Sequence, residues 1–278
     1  MSPNSSESLQ GGQQRRLVQR WKDGAQLQLE DELATETAIA FVYNGISHAV
    51  MMASPMNLAD FALGFSLSEG VLRDLAEIYS LSVDEMDSGI QLDMEIASKR
   101  FAALKHRRRS LAGVSGCGLC GAESLRDVQK PVAQLSPNSE ALRPVALERV
   151  HRALAEFESL QAMRASTGAI HAAAWCKPDG NIECVREDLG RHNAVDKVIG
   201  AMAKENWNPG DGFLLLSSRI SFEIVQKAAV IGMTNIVAAS APSTLAVDLA
   251  NKHNISLAGR LSEQRITLYT DVKGVILS

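Results

Sequence analysis

Cys117 and Cys120, in the segment Ser115-Gly-Cys-Gly-Leu-Cys-Gly121, are the residues with the most chemistry open to them. A C-x-x-C can be half of a zinc site, a redox dithiol, a sulfur carrier or an incidental pair. A structural zinc needs two further ligands at short spacing, whereas Cys176 and Cys184 lie eight apart in or beside a predicted hairpin and read as small hydrophobes. His106 and His171 remain as candidate ligands. A thioredoxin-like dithiol opens a helix directly after a strand, and here glycine loop flanks the pair on both sides. What remains is a thiol on a predicted loop, eight residues beyond the basic run Lys105-His-Arg-Arg-Arg109. Positive charge nearby favours thiolate, and a persulfide carrier needs a nucleophilic sulfur on a segment that reaches both donor and acceptor. The competing reading of the basic run is a solvated face.

Three further groups could do chemistry. Arg186-Glu-Asp-Leu-Gly-Arg-His-Asn193 places Asp188, Arg191 and His192 in a strand-to-helix turn, where they serve acid/base work or cap and orient the helix, the second being preferred. His171, within Ser166-Thr-Gly-Ala-Ile-His-Ala-Ala-Ala174, reads as a satisfied core histidine. The segments Ser217-Ser218-Arg219, Ser240-Ala-Pro-Ser-Thr244 and Gly259-Arg260 each leave a predicted parallel strand and should emerge on one edge. Ligands of open α/β sheets bind at that edge, and serine hydroxyls with free helix N–H groups beside arginines suit phosphate or pyrophosphate. Taken singly, Ser221 and Ser243 read as N-caps.

The elements that must position these groups follow from periodicity. Asn44-Gly45 between the alternating runs Thr37 to Tyr43 and Ile46 to Val50 predicts a hairpin with a type I′ turn. Leu58, Phe61, Ala62 and Phe65 predict an amphipathic helix behind Pro55, with Asn57 as its cap and an end at Gly70. Strands are predicted at Ile78 to Val83 and Ile90 to Ile96, and a long helix through Leu147, Val150, Leu154, Phe157 and Leu160. From Thr167 onward strands and helices alternate, which predicts a mostly parallel sheet covered by helices. The expected organisation is a disordered tail over 1–20, an N-terminal α+β region over 21–109, a mobile loop and connector over 110–144, and a C-terminal α/β region over 145–278.

Composition bounds the function. The chain has 278 residues, 46% hydrophobic and 22% charged, with a net charge of -4, which excludes fibrous and wholly disordered classes and offers no global attraction for nucleic acid or anionic lipid. No apolar run reaches bilayer-spanning length, and four cysteines in a chain this long do not make a disulfide scaffold, so a cytoplasmic protein is expected.

Taken together, Cys117-Gly-Leu-Cys-Gly121, Thr167-Gly-Ala-Ile-His171, Arg186-Glu-Asp-Leu-Gly-Arg-His-Asn-Ala-Val-Asp-Lys197, Ser218-Arg-Ile-Ser-Phe-Glu223 and Ser240-Ala-Pro-Ser-Thr-Leu-Ala246 resemble the FdhD family of formate dehydrogenase accessory sulfurtransferases. The resemblance covers nearly everything after the tail. It implies a cytidine-deaminase-like α/β fold with an added N-terminal hairpin-containing region, and a homodimer. It further implies that a cysteine desulfurase passes persulfide sulfur to Cys117, with Cys120 as helper. The sulfur then goes to a molybdenum or tungsten bis-pterin guanine dinucleotide destined for formate dehydrogenase. The family's cofactor-binding loop corresponds to Arg260, Leu261, Ser262, Glu263, Gln264 and Arg265. The family commonly has Gly-Phe-x-Arg where this chain reads Gly259-Arg260-Leu261-Ser262, and Arg-Thr-Pro where it reads Met52-Ala-Ser-Pro55. Two alternatives stand beside this reading: a cofactor-binding chaperone or adaptor that moves no sulfur, and a zinc-dependent deaminase. The latter requires a His-x-Glu or Cys-x-Glu that the sequence lacks.

Overall fold

The computed structural model describes residues 11–110, 145–262 and 265–272, with the backbone alone for 107–110. The tail expected through residue 20 is replaced from Gln13 onward by regular structure. Gln13–Lys22 (β1) and Ala25–Ala34 (β2) pair antiparallel as a separate two-stranded ribbon. Asp23 and Gly24 turn it at φ 53° and 79°, the two positive values of a type I′ connection. Leu27, Leu29 and Leu33 alternate with Gln and Glu along β2, but both faces of the ribbon lie largely exposed, and Trp21 is 69% exposed. The ion pairs Arg15–Glu32 and Arg20–Asp31 brace it across the strands.

Thr37–Tyr43 (β3) and Ile46–Ala53 (β4) form the predicted hairpin, with Asn44 and Gly45 at φ 48° and 76°. Leu58–Ser68 (α1) follows, then Ile78–Met86 (β5), Gly89–Ile96 (β6) and Ser98–Ser110 (α2). The four strands lie in the order β4-β3-β6-β5. Ile39, Phe41, Tyr43, Leu92 and Met94 alternate onto one face of this sheet and meet Phe61 and Phe65 of α1, with the Phe41 ring 5.0 Å from Phe61 and 4.1 Å from Phe65. Asn57 does not cap α1: it adopts φ 52° and its side chain makes no cap hydrogen bond.

The second half begins with Leu147–Ser159 (α3) and Ala162–Thr167 (α4). A six-stranded sheet follows, in the order β12-β11-β10-β9-β7-β8, from His171–Cys176 (β7), Ile182–Asp188 (β8), Phe213–Leu216 (β9), Asn235–Ala238 (β10), Ser256–Ser262 (β11) and Arg265–Thr270 (β12). Arg191–Lys204 (α5), Phe222–Ile231 (α6) and Thr244–His253 (α7) connect its strands. The expectation of a mostly parallel sheet needs correction, because only β9–β10 and β10–β11 pair parallel, while β7–β8, β7–β9 and β11–β12 are antiparallel. The tight turn Pro178-Asp179-Gly180-Asn181 forces β7 and β8 into a hairpin, and β9 adds to the free edge of β7. With β7 reversed between them, β8 and β9 still point the same way as β10 and β11. Successive residues of the central strands alternate between two cores: Leu214, Leu216, Ile236 and Ala238 face α5, α6 and α7, while Phe213, Leu215 and Val237 face Val150, Leu154 and Phe157 of α3.

The two sheets are joined where α1 crosses α5. A Cβ on Gly64 would collide with the Asp196 carbonyl oxygen, and one on Gly200 with that of Asp60, so the two backbones meet directly.

Candidate functional site

Because β8, β9 and β10 share a direction, α5, α6 and α7 all start at one edge of the sheet. The chain closes that edge by backbone contacts between the three segments singled out from sequence. Ile220 bridges Pro242, the Ser243 N–H donates to the Ile220 carbonyl at 3.0 Å, and the Arg260 N–H donates to the Ser240 carbonyl at 3.1 Å. Gly259 fits against Ser240 only for want of a side chain, since a Cβ there would stand 2.7 Å from the Ser240 carbonyl oxygen. The expected convergence is therefore present. His171 begins β7 at the same edge, opposite Asp188, and the Ala172 N–H donates to Ser217 Oγ at 2.8 Å. Half-buried at the edge, His171 is not the core histidine expected from its apolar neighbours.

The dense segment from Arg186 to Lys197 divides into two roles. Asp188 is buried and its carboxylate is fully occupied: Lys197 Nζ donates at 2.7 Å, the Ser54 N–H at 3.0 Å, the Gly190 N–H at 2.8 Å and Asn193 Nδ2 at 2.9 Å. Arg186 clamps Asp60 with Nε at 2.8 Å and Nη2 at 2.7 Å. Asp196 accepts from Ser68 Oγ at 2.6 Å and from Lys227 Nζ at 2.9 Å, and Lys227 also reaches Glu69 at 2.9 Å. These charged groups fasten the six-stranded sheet to the N-terminal half, so Asp188 is structural rather than an acid or base. Burial drives the Asp196 carboxyl up against the pull of Lys227; at Lys227 burial lowers the pKa, but Asp196 and Glu69 outweigh it and raise it.

Arg191 and His192, by contrast, open α5 at the edge. His192 Nε2 lies 3.0 Å from Ser221 Oγ and 3.6 Å from Glu223 Oε2, linking the first turns of α5 and α6. Ser221 thus sits at the N-cap position with its hydroxyl engaged by His192 and Glu223 and no cap hydrogen bond, whereas Ser243 caps α7 through the Ala246 N–H at 3.2 Å. Burial, then Arg191, holds the His192 pKa down to about 4 despite Glu223. Burial, then Arg191, Arg164 and Arg219, likewise lowers His171. Arg191 Nε is buried and has no hydrogen-bond partner among the described residues. Three guanidiniums, two neutral imidazoles and the first turns of three helices give this edge a positive field with hydroxyl donors, an arrangement able to hold a phosphate or pyrophosphate.

The individual site residues fall as follows. Arg260, Leu261 and Ser262 complete β11 and Arg265 opens β12, so four of the six residues expected in a loop lie on paired strands, with Ser262 opposite Arg265. Arg260, at φ 53°, and Ser262 and Arg265 are exposed, with Arg265 Nε donating to the Arg260 carbonyl at 3.3 Å. Leu261 is only 5% exposed and packs in the core below the sheet, which leaves its backbone alone to meet a ligand. Glu263, Gln264, Cys117 and Cys120 lie outside the described residues, as does the 111–144 segment. Cys176 and Cys184 are buried, and burial pushes both thiols up, Cys184 to about 11. Among the described residues no three His, Cys, Asp or Glu side chains group as metal ligands, and no helix is long and apolar enough to cross a membrane.

Known proteins resemble this chain as follows. The model of the FdhD/NarQ family matches residues 34–276. The sulfur carrier protein FdhD of Cupriavidus necator is 47% identical over 242 residues, covering 87% of this chain and 83% of its own. Among solved structures, a chain from Desulfotalea psychrophila described as a formate dehydrogenase accessory protein has a TM-score of 0.75 at 19% identity, covering 95% of this chain and 99% of that one. At that identity the likeness establishes a shared fold.

Proposed function

Because this chain belongs to the FdhD/NarQ family, we propose that it is a sulfur carrier that serves formate dehydrogenase. The Cys117 thiolate attacks the terminal sulfur of a persulfide on a cysteine desulfurase. A bond forms between that sulfur and Cys117 Sγ, the donor's S–S bond breaks, and the donor cysteine leaves as thiolate, with Cys120 assisting. The carried sulfur is delivered to a molybdenum or tungsten bis-pterin guanine dinucleotide, the substrate of the transfer, before that cofactor enters formate dehydrogenase. Its pyrophosphates rest on the positive sheet edge, with Arg260, Ser262 and Arg265 beside it. The protein acts in the cytoplasm as a homodimer, on a fold we relate to the cytidine-deaminase-like class.

The observation that carries this reading is the single family match over 34–276, which spans both the Cys117-Gly-Leu-Cys120 pair and every segment that builds the sheet edge. The edge supports the cofactor half of the proposal by its chemistry, and the buried cysteines support placing the carrier thiol in the Cys117–Cys120 pair, because raised pKa values leave Cys176 and Cys184 as unreactive thiols; the choice of Cys117 within the pair follows the family resemblance.

The test is mass spectrometry of the protein after incubation with a cysteine desulfurase and cysteine. One added sulfur atom is expected on Cys117, none on Cys176 or Cys184, and none anywhere in a Cys117→Ala variant that keeps the wild-type circular dichroism. Nucleotide binding without any added sulfur would instead mark the protein as a cofactor-holding adaptor.

A further inference from the structure

We infer that His171 and His192 are ligand-binding residues of the sheet edge and that they engage a pyrophosphate diester as imidazolium cations, so that the ligand binds together with protons. The inference rests on the dinucleotide reading above and adds to it which side chains respond to the ligand and how.

The geometry is the ground for it. His192 is the second residue of α5 and its ring bridges to Ser221 and Glu223 at the start of α6, with the imidazole 30% exposed. His171 stands at the start of β7, between the strands that feed α5 and α6. Each ring therefore lies beside helix first turns on the one edge where the three connecting segments meet.

The charges around each ring are set by every element packed on it. His192 faces Arg191 of its own helix, Glu223 and Lys227 of α6, and Glu69 at the end of α1. His171 faces Arg164 of α4, Arg191 of α5, Arg219 of the β9–α6 segment, and Asp188 of β8. For both rings burial and guanidinium charge outweigh the carboxylates, so the rings are neutral while the edge is empty of ligand. A neutral imidazole carries one N–H donor and one acceptor nitrogen, whereas an imidazolium donates from both. A dianion arriving among Arg164, Arg191 and Arg219 reverses the local field that keeps the rings uncharged, and it supplies acceptors for the donors that protonation creates.

The experiment is isothermal titration of the full chain with P1,P2-diguanosine diphosphate, whose diester phosphates stay ionised throughout. At about pH 6 the heat is measured in two buffers of different ionisation enthalpy, so that their difference reports protons taken up. Up to two protons per ligand are expected, one for each ring, with affinity falling up to about a hundredfold for each pH unit above that range. His192→Asn and His171→Asn should each remove part of the uptake, and the double variant should bind with none. Binding without uptake in the wild type, or uptake unchanged in the double variant, overturns this inference and leaves the dinucleotide reading standing. Failure of the wild type to bind at about pH 5.5 overturns the dinucleotide reading, and this inference with it.

Discussion

Replacing Lys197 with Met tests whether the charged groups of the Arg186–Lys197 segment hold the two halves together. The ammonium is fully buried, donates to Asp188 at 2.7 Å and to the Ser54 carbonyl at 2.9 Å, and lies near the Glu187 carbonyl at 3.4 Å. Met fills most of the volume but leaves the Asp188 carboxylate in the interior without a counter-charge. Removing one member of a buried pair costs about 3–5 kcal/mol. Asp188 keeps three donors, from Ser54, Gly190 and Asn193, which places the carboxylate's share near the lower limit. The orphaned Ser54 carbonyl adds roughly 1 kcal/mol. The expected loss is therefore about 3–4 kcal/mol, read as a fall in the urea midpoint followed by circular dichroism. Combining Lys197→Met with Asp188→Asn removes both charges and should recover a large part of that loss. A single-variant loss below about 1 kcal/mol, or a double variant no better than the sum of the two single changes, would refute the claim that this pair is a coupled buried staple.

Other outcomes follow from the same geometry. The His192 pKa is about 4 in the folded chain against an ordinary value of 6.5, so the unfolded chain binds the extra proton between those values. Its contribution is complete above about pH 6.5 and is lost as pH falls toward about 4, amounting to at most about 3 kcal/mol; urea titrations of His192→Asn beside wild type should show a shallower decline. Gly200→Ala should destabilise by roughly 1–3 kcal/mol or more, because the collision with Asp60 outweighs the roughly 1 kcal/mol gained in helix propensity. A thermal melt at or above the wild-type midpoint would contradict the direct backbone contact. Arg219→Ala, at an exposed position, should leave the melt unchanged while weakening diguanosine diphosphate binding about tenfold or more in a titration at low salt.

What could be read from sequence was what leaves a local pattern. Asn44-Gly45 demands positive φ at two successive residues, and the flanking runs alternate, so the β3–β4 hairpin was legible to its turn type. The three segments of the sheet edge were legible because strand and helix alternate there. The ribbon of β1 and β2 was not: Leu27, Leu29 and Leu33 alternate along β2, but its partner β1 is rich in Gln and Arg and continues a polar Ser, Asn and Gln stretch that reads as a frayed tail. The reversal of β7 was hidden for a different reason: periodicity identifies a strand but not its neighbour, and β9 chose the free edge of β7 rather than of β8. Helix α2 also escaped, because Phe101 and Leu104 are its main apolar anchors in a basic sequence. At the site, Asp196, Lys197 and Lys227 look like solvated charges in sequence, and only their mutual placement on α5 and α6 against α1 and Asp188 of β8 explains why they are buried. The signal that could have found them is their spacing along α5, where Asn193, Asp196, Lys197 and Gly200 share the face that meets α1.

The direct backbone seat of Gly64 on α5 and Gly200 on α1 also constrains how the molecule can work. With no side chains to act as bearings, the helices have no room to slide or swivel, and the four-stranded and six-stranded sheets behave as one rigid chassis. The sheet edge of one half is thereby held in fixed register with the aromatic core of the other, so a side chain introduced at either glycine should disturb both at once.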